Sequence, residues 1–137
     1  MVHYLQLGPN GALPDVRHFG PYKAVVVIES EVARQRQHDI SKWLVESGCL
    51  YMMAWGPNAT TWDDSVDEAN LEQFGFGDIP DDSCVETTWH DNETLAEVFS
   101  FSKTHATHPT QELKNTLIVH LANQDKSSAL KAMYDNA

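Results

Sequence analysis

Residues Ala24-Val25-Val26-Val27-Ile28 form an unbroken run of small and β-branched apolar residues with no polar alternation. A strand with one face in water alternates apolar and polar side chains, so this run predicts a strand covered on both faces. Such strands lie inside mainly parallel sheets that are sandwiched by helices. The neighbouring segments must then supply parallel partners and crossover helices.

The order of periodicities supplies them. After Ile28, the apolar positions Val32, Ala33, Ile40, Trp43 and Leu44 share a helical face, with Ser30 placed to cap the helix and Gly48 to end it. Leu50–Trp55 is a second apolar run. Thr61 and Asp64 then form a capping-box-like start to a helix carrying Trp62, Val66 and Ala69. Cys84–Trp89 is a third strand, followed by a helix capped by Asp91 or Asn92, with Leu95, Val98, Phe99 and Ala106 on one face, and ended by His108-Pro109. Thr116–Leu121 is a fourth strand, and Lys126–Tyr134 is a last helix or a tail. Residues 1–22 read as an irregular lead-in, with His3–Leu7 as a short edge strand. The expected fold is a three-layer α/β sandwich, a single domain over residues 1–137 with a mainly parallel four-stranded sheet. Its order is 2-1-3-4, counted from Ala24–Ile28, by analogy with flavodoxin-like sheets. In that order Cys49 and Cys84 stand about two strand spacings, roughly 9–10 Å, apart, and remain free thiols.

Charge narrows the class of partner. The chain of 137 residues has a formal charge of −11, and between Trp43 and Ser102 it carries thirteen acids and neither Lys nor Arg. That balance opposes nucleic-acid phosphates and anionic lipid surfaces, leaving a basic protein or a small neutral ligand as the expected partner. No run of eighteen apolar residues occurs, and Met1–Leu7 has no basic stretch leading into an apolar one, so a cytoplasmic location is expected.

In parallel sheets the ligand crevice opens outside the carboxyl ends of the strands. This selects Glu29, Ser30 and Glu31 after the first strand, Trp55, Asn58, Thr61, Asp63 and Asp64 after the second, and His90 and Asp91 after the third. Trp55, Trp62 and Trp89 fall at the same edge, where aromatic rings line pockets or anchor interfaces. Asp63, Asp64 and Asp67 sit in the first turns of a helix, where acids are also favoured by the dipole. A catalytic reading needs Glu29, Asp63, His90 and Asp91 to converge, as in a metal-dependent hydrolase or nucleotide-processing site. No glycine-rich phosphate loop, Walker-type lysine or nucleophile elbow accompanies them, and no cofactor or resident metal is expected. His105 and His108 fit a helix end better than a metal site.

The segments Gly48-Cys49-Leu50-Tyr51-Met52-Met53-Ala54-Trp55-Gly56, Trp62-Asp63-Asp64-Ser65-Val66-Asp67 and Thr87-Thr88-Trp89-His90 resemble a family of small bacterial proteins classed as a domain of unknown function. The similarity runs from Lys23 to about Leu121. It implies a bacterial, cytosolic setting and transfers no activity. The expectation from the residues themselves is a non-catalytic binding or interaction module. It would use Trp55, Trp62, Trp89, Asp64 and Asp67 to recognise a basic or neutral partner, with the small enzyme as the rival.

Overall fold

The computed structural model, which describes residues 1–137, has the element order β1 (Val2–Leu7), β2 (Tyr22–Ile28), α1 (Arg34–Glu46), β3 (Cys49–Trp55), α2 (Ala59–Gln73), β4 (Glu86–His90), α3 (Leu95–Thr104), β5 (Asn115–Leu121) and α4 (Ser127–Asn136). The five strands form one all-parallel sheet in the order β1-β5-β2-β3-β4. Every residue of β2 except Lys23 is buried, as a strand covered on both faces requires. No helix is long and apolar enough to cross a membrane.

Helices cover the sheet on both sides. Ala24, Val26 and Ile28 join Met52, Ala54, Val119 and Leu121 in a core packed under Ile40 and Leu44 of α1 and Trp62, Val66 and Ala69 of α2. Val25, Val27, Met53 and Ile118 point the other way, beneath Leu95, Val98 and Phe99 of α3 and Leu130 and Tyr134 of α4. The strand period of two sorts the run Ala24–Ile28 into these two cores. The link from β1 to β2 has no α-helix, but Leu13, Val16 and Phe19 from it pack against the α1–α2 core. Crossovers running from β1 towards β4 thus lie on the α1–α2 face, and the return through α3 lies on the other, as crossovers of a single hand require.

Strand number and order depart from the expectation of four strands in the order 2-1-3-4. The sheet has five strands, and β2 lies between β3 and β5. The fifth strand is the N-terminal edge strand expected at His3–Leu7, and composition explains the order. β4, Glu-Thr-Thr-Trp-His, is too polar to be covered on both faces and belongs at an edge, whereas β5, Asn-Thr-Leu-Ile-Val-His-Leu, is almost wholly buried and must be internal. β1 is the opposite edge and pairs with β5 from Val2 to Leu7. Cys49 and Cys84 accordingly lie at the starts of adjacent strands rather than two spacings apart, and both are free thiols. The deeply buried Cys49 thiol is pushed up to about 12 by desolvation.

Helix starts also differ in detail. Ser30 does not cap α1; its hydroxyl donates to the Leu121 carbonyl, and α1 begins after Ala33. α2 begins at Ala59, after a left-handed Asn58, and Thr61 donates to the Asn58 carbonyl. The cap of α3 is Thr94, which forms a capping box with Glu97. The C-terminal segment is helical rather than a tail.

One glycine is indispensable to the carboxyl edge of the sheet. Gly56 turns the chain after β3 at φ +116°, and a Cβ there would stand 2.2 Å from the Ile28 carbonyl oxygen. Gly75 also has positive φ, at +62°, but faces open space. Gly56→Ala is expected to destabilise by more than about 2 kcal/mol and Gly75→Ala by about 1 kcal/mol, read from urea midpoints. Equal costs would contradict this close approach of β3's turn to β2.

Candidate functional site

β2 leads to the α1 face and β5 to the α4 face, so the crevice predicted for such sheets lies between their carboxyl ends. The side chains there form one chain of hydrogen bonds. The Lys126 backbone N–H donates to the Tyr4 hydroxyl at 2.9 Å, and that oxygen lies 2.6 Å from Nδ1 of His120. The Glu29 carboxylate can only accept, which puts a proton on Nε2 of His120 and leaves Nδ1 to accept from the Tyr4 hydroxyl. Nε2–H donates to the Glu29 carboxylate, whose second oxygen lies 3.4 Å from Lys126 Nζ. His120 is 0% exposed. Its hydrogen bond holds the Glu29 carboxyl below its ordinary range; burial opposes this as the next-largest effect, and the Lys126 ammonium adds to the lowering. Burial pushes the Tyr4 phenol up, and the Lys126 N–H opposes that. Each nitrogen of His120 is occupied, so this network ties β1, β5, β2 and the start of α4 together.

His90 occupies a second, separate network. Its ring is buried, with Nε2 2.9 Å from Thr88 Oγ1 and Nδ1 3.2 Å from a Glu93 carboxylate oxygen, and its centroid lies 4.8 Å from that of Phe101. The expected partner Asp91 is exposed in the following turn. β3 separates the strand bearing Glu29 from the strand bearing His90, and Asp63 stands on α2 across the sheet. Glu29, Asp63, His90 and Asp91 therefore occupy three places.

The tryptophans divide in the same way. Trp62 is 1% exposed and is the largest fully buried side chain of the α1–α2 core, so it offers no binding surface. Its spacing to Val66 and Ala69 is the apolar stripe of α2. Trp55 packs into the α3–α4 core and donates its indole N–H to the Glu93 carbonyl at 2.8 Å. Trp89 is opposite Ala54 in the register, so it points to the α2 face, and it is 48% exposed. Of the three, Trp89 is the most exposed.

The acids of α2 lie on the face of β4 that carries Trp89. Thr87 donates to an Asp67 carboxylate oxygen at 3.1 Å, fixing α2 against β4. Trp89 lies two residues further along the strand and Asp63 one turn back along α2, each about 6 Å towards the carboxyl edge, so the two stand level. Carboxylate oxygens of Asp63, Asp64 and Asp67 lie within 4.8 Å of one another. One Asp63 carboxylate oxygen is buried with no hydrogen-bond partner. Partial burial, then the charges of Asp63, Asp64 and Glu86, push the Asp67 carboxyl up, with the Thr87 bond opposing. None of the nine acids from Asp63 to Glu86 makes an ion pair. On its other side Asp64 joins Asn58, Thr61, His38, Glu68 and one cation, Arg34, around a polar cleft of about 670 Å³ between α1 and α2, so the uncompensated negative charge lies on the β4 side. A surface of this kind attracts positive charge.

Tyr4, His120 and Lys126 were not among the sequence-derived site residues. Their signal was a lone histidine inside the otherwise apolar Thr116–Leu121 run, a buried polar group that must find partners. A family described as "Domain of unknown function (DUF7684)" matches residues 2–137 of the chain. No curated protein and no solved structure matches it.

Glu29 and Asp67 have opposite linkage to pH. Glu29 has a lowered folded-state pKa, so its contribution to stability is present above the unfolded carboxyl value and is lost as pH falls through the folded one. Asp67 has a raised pKa, so its ionised form costs stability above that range. Glu29→Gln is expected to lower the urea midpoint at pH 7 and Asp67→Asn to raise it, both differences shrinking as pH falls to about 3. Shifts of the same sign at pH 7 would contradict these environments.

Proposed function

The chain belongs to this family of unknown function, and we propose that it is a non-catalytic binding module whose α2–β4 corner recognises a basic partner. The resemblance of its motifs to small bacterial proteins supports a bacterial cytosolic setting for this interaction. The observation that carries the reading is the cluster of unpaired carboxylates on α2, which packs on the face of β4 that carries the half-exposed ring of Trp89.

Several physical effects favour a cationic occupant. Asp63, Asp64 and Asp67 repel one another at their short separations, and the repulsion is relieved when a guanidinium or ammonium group sits among them. Arg would supply two parallel N–H donors to one of the exposed carboxylates, Asp64 or Asp67. Trp89 adds a π face on which the same cation can rest, and a large amphipathic ring is the usual anchor of an interface. The chain outside Trp43–Ser102 holds nine basic and seven acidic residues, so the negative field is concentrated at the sheet edge rather than spread over the molecule. Such a field steers encounter as well as holding the complex.

The test is titration with a short Arg- and Lys-rich peptide. Affinity is expected to fall about tenfold or more between 50 and 200 mM salt, because exposed charge pairs are screened. The triple substitution D63N/D64N/D67N should flatten that dependence, and Trp89→Ala should weaken binding by more than about 1 kcal/mol. Salt-independent binding, or equal affinity for an acidic peptide of the same length, would contradict the proposal.

A further inference from the structure

Resting on that reading of the α2–β4 corner, we infer that the partner binds as an extended basic segment that adds a sixth strand along the free edge of β4. β4 pairs with β3 on one side only, so the N–H and C=O groups that its residues turn outward have no ladder partner. An edge of this kind recognises an extended peptide through the main chain, with alternate side chains setting specificity.

The residues flanking β4 specify the occupant. Thr87 and Trp89 face α2, whereas Thr88 and His90 face α3. An added strand would alternate likewise. Its side chains on the α2 side would lie beside Trp89 and the Asp63–Asp67 stripe, where Lys or Arg meets both the carboxylates and the ring. Its side chains on the other side would lie beside Glu86 at the start of the strand and then Thr88 and the covered His90, where uncharged residues fit. The recognised pattern is therefore a basic residue at every second position over about five residues, the length of β4.

Charge also decides between the candidate occupants and between the two edges. A second copy of the chain pairing β4 with β4 would bring Glu86 and the α2 acids of both copies together, and like charges across a strand pair are destabilising. β1, the other edge, is Val-His-Tyr-Leu-Gln-Leu and contains no acid, and of the acids near its Tyr4, Glu29 is already paired with His120 and Lys126, so it offers a cationic segment far less than β4 does.

The experiment uses a peptide of alternating Lys and Val and two versions of it methylated on the backbone nitrogen of every second residue, one in each frame. Methylation in the frame that faces β4 should weaken binding at least tenfold and the other frame should leave it within about threefold. Amide hydrogen exchange at alternate residues of Glu86–His90 should slow at least tenfold on binding of the unmodified peptide. If both methylated peptides bind like the parent, with salt dependence intact and β4 exchange unchanged, edge addition is overturned while the acidic surface remains the binding site. If no peptide binds in a salt-dependent way, the acidic-surface reading itself fails and edge addition falls with it.

Discussion

The burial of β2 on both faces is the constraint on which the rest of the molecule depends. A strand of this kind can satisfy its backbone only through neighbours on both sides and can hide its side chains only under two layers of helix. β3 and β5 supply the first requirement, each in parallel register along β2. α1 with α2, and α3 with α4, supply the second. Because the crossovers in one direction lie on one face and the return lies on the other, the carboxyl ends of β2 and β5 form the place where the chain diverges. That place is filled by the His120 network rather than left as a crevice. Tyr4, His120, Glu29 and Lys126 come from four segments, and the bonds between them close the sheet where its connections separate.

With the switch point closed, the surface features that recruit a partner lie at the β4 edge. The same polarity that bars β4 from the sheet interior leaves its outer side unpaired and its Trp89 exposed. α2 carries its apolar stripe, Trp62, Val66 and Ala69, towards the sheet, so its acids at Asp63, Asp64, Asp67 and Glu68 project around or away from β4. Fold and charge distribution are thus linked: an edge strand and an amphipathic helix together place a one-signed surface beside an aromatic ring.

Much of the layering was legible in the sequence, because each strand or helix has a period of its own. Ala24–Ile28 could be only a doubly covered strand, and Gly48 marked the end of α1 with φ +102°. Strand order was less accessible, since it depends on comparing strands with one another. The polarity of Glu86–His90 against the burial of Thr116–Leu121 held that information, but an analogy with another sheet order overrode it. The tryptophans show a different limit. A position at a strand end does not say which face a side chain takes, and a register that pairs Ala54 with Trp89 and Trp55 with His90 sends the two indoles to opposite sides. Trp62 follows the strand end in sequence but belongs to the core, as its spacing to Val66 and Ala69 implies. The partnership of Glu29 with His120 joins residues 91 positions apart, and no local pattern encodes it.

The central claim is that the acidic corner made by α2 and β4 is the surface that meets a partner. Its most direct test is mapping backbone amide chemical shifts while a basic peptide is added to the isotopically labelled chain. The account predicts changes concentrated in Asp63–Glu72 and Glu86–Asp91 and in the Trp89 indole N–H, with the Tyr4, His120 and Lys126 signals unmoved. Changes centred on the β2–β5 carboxyl edge, or scattered evenly over the surface, would contradict it.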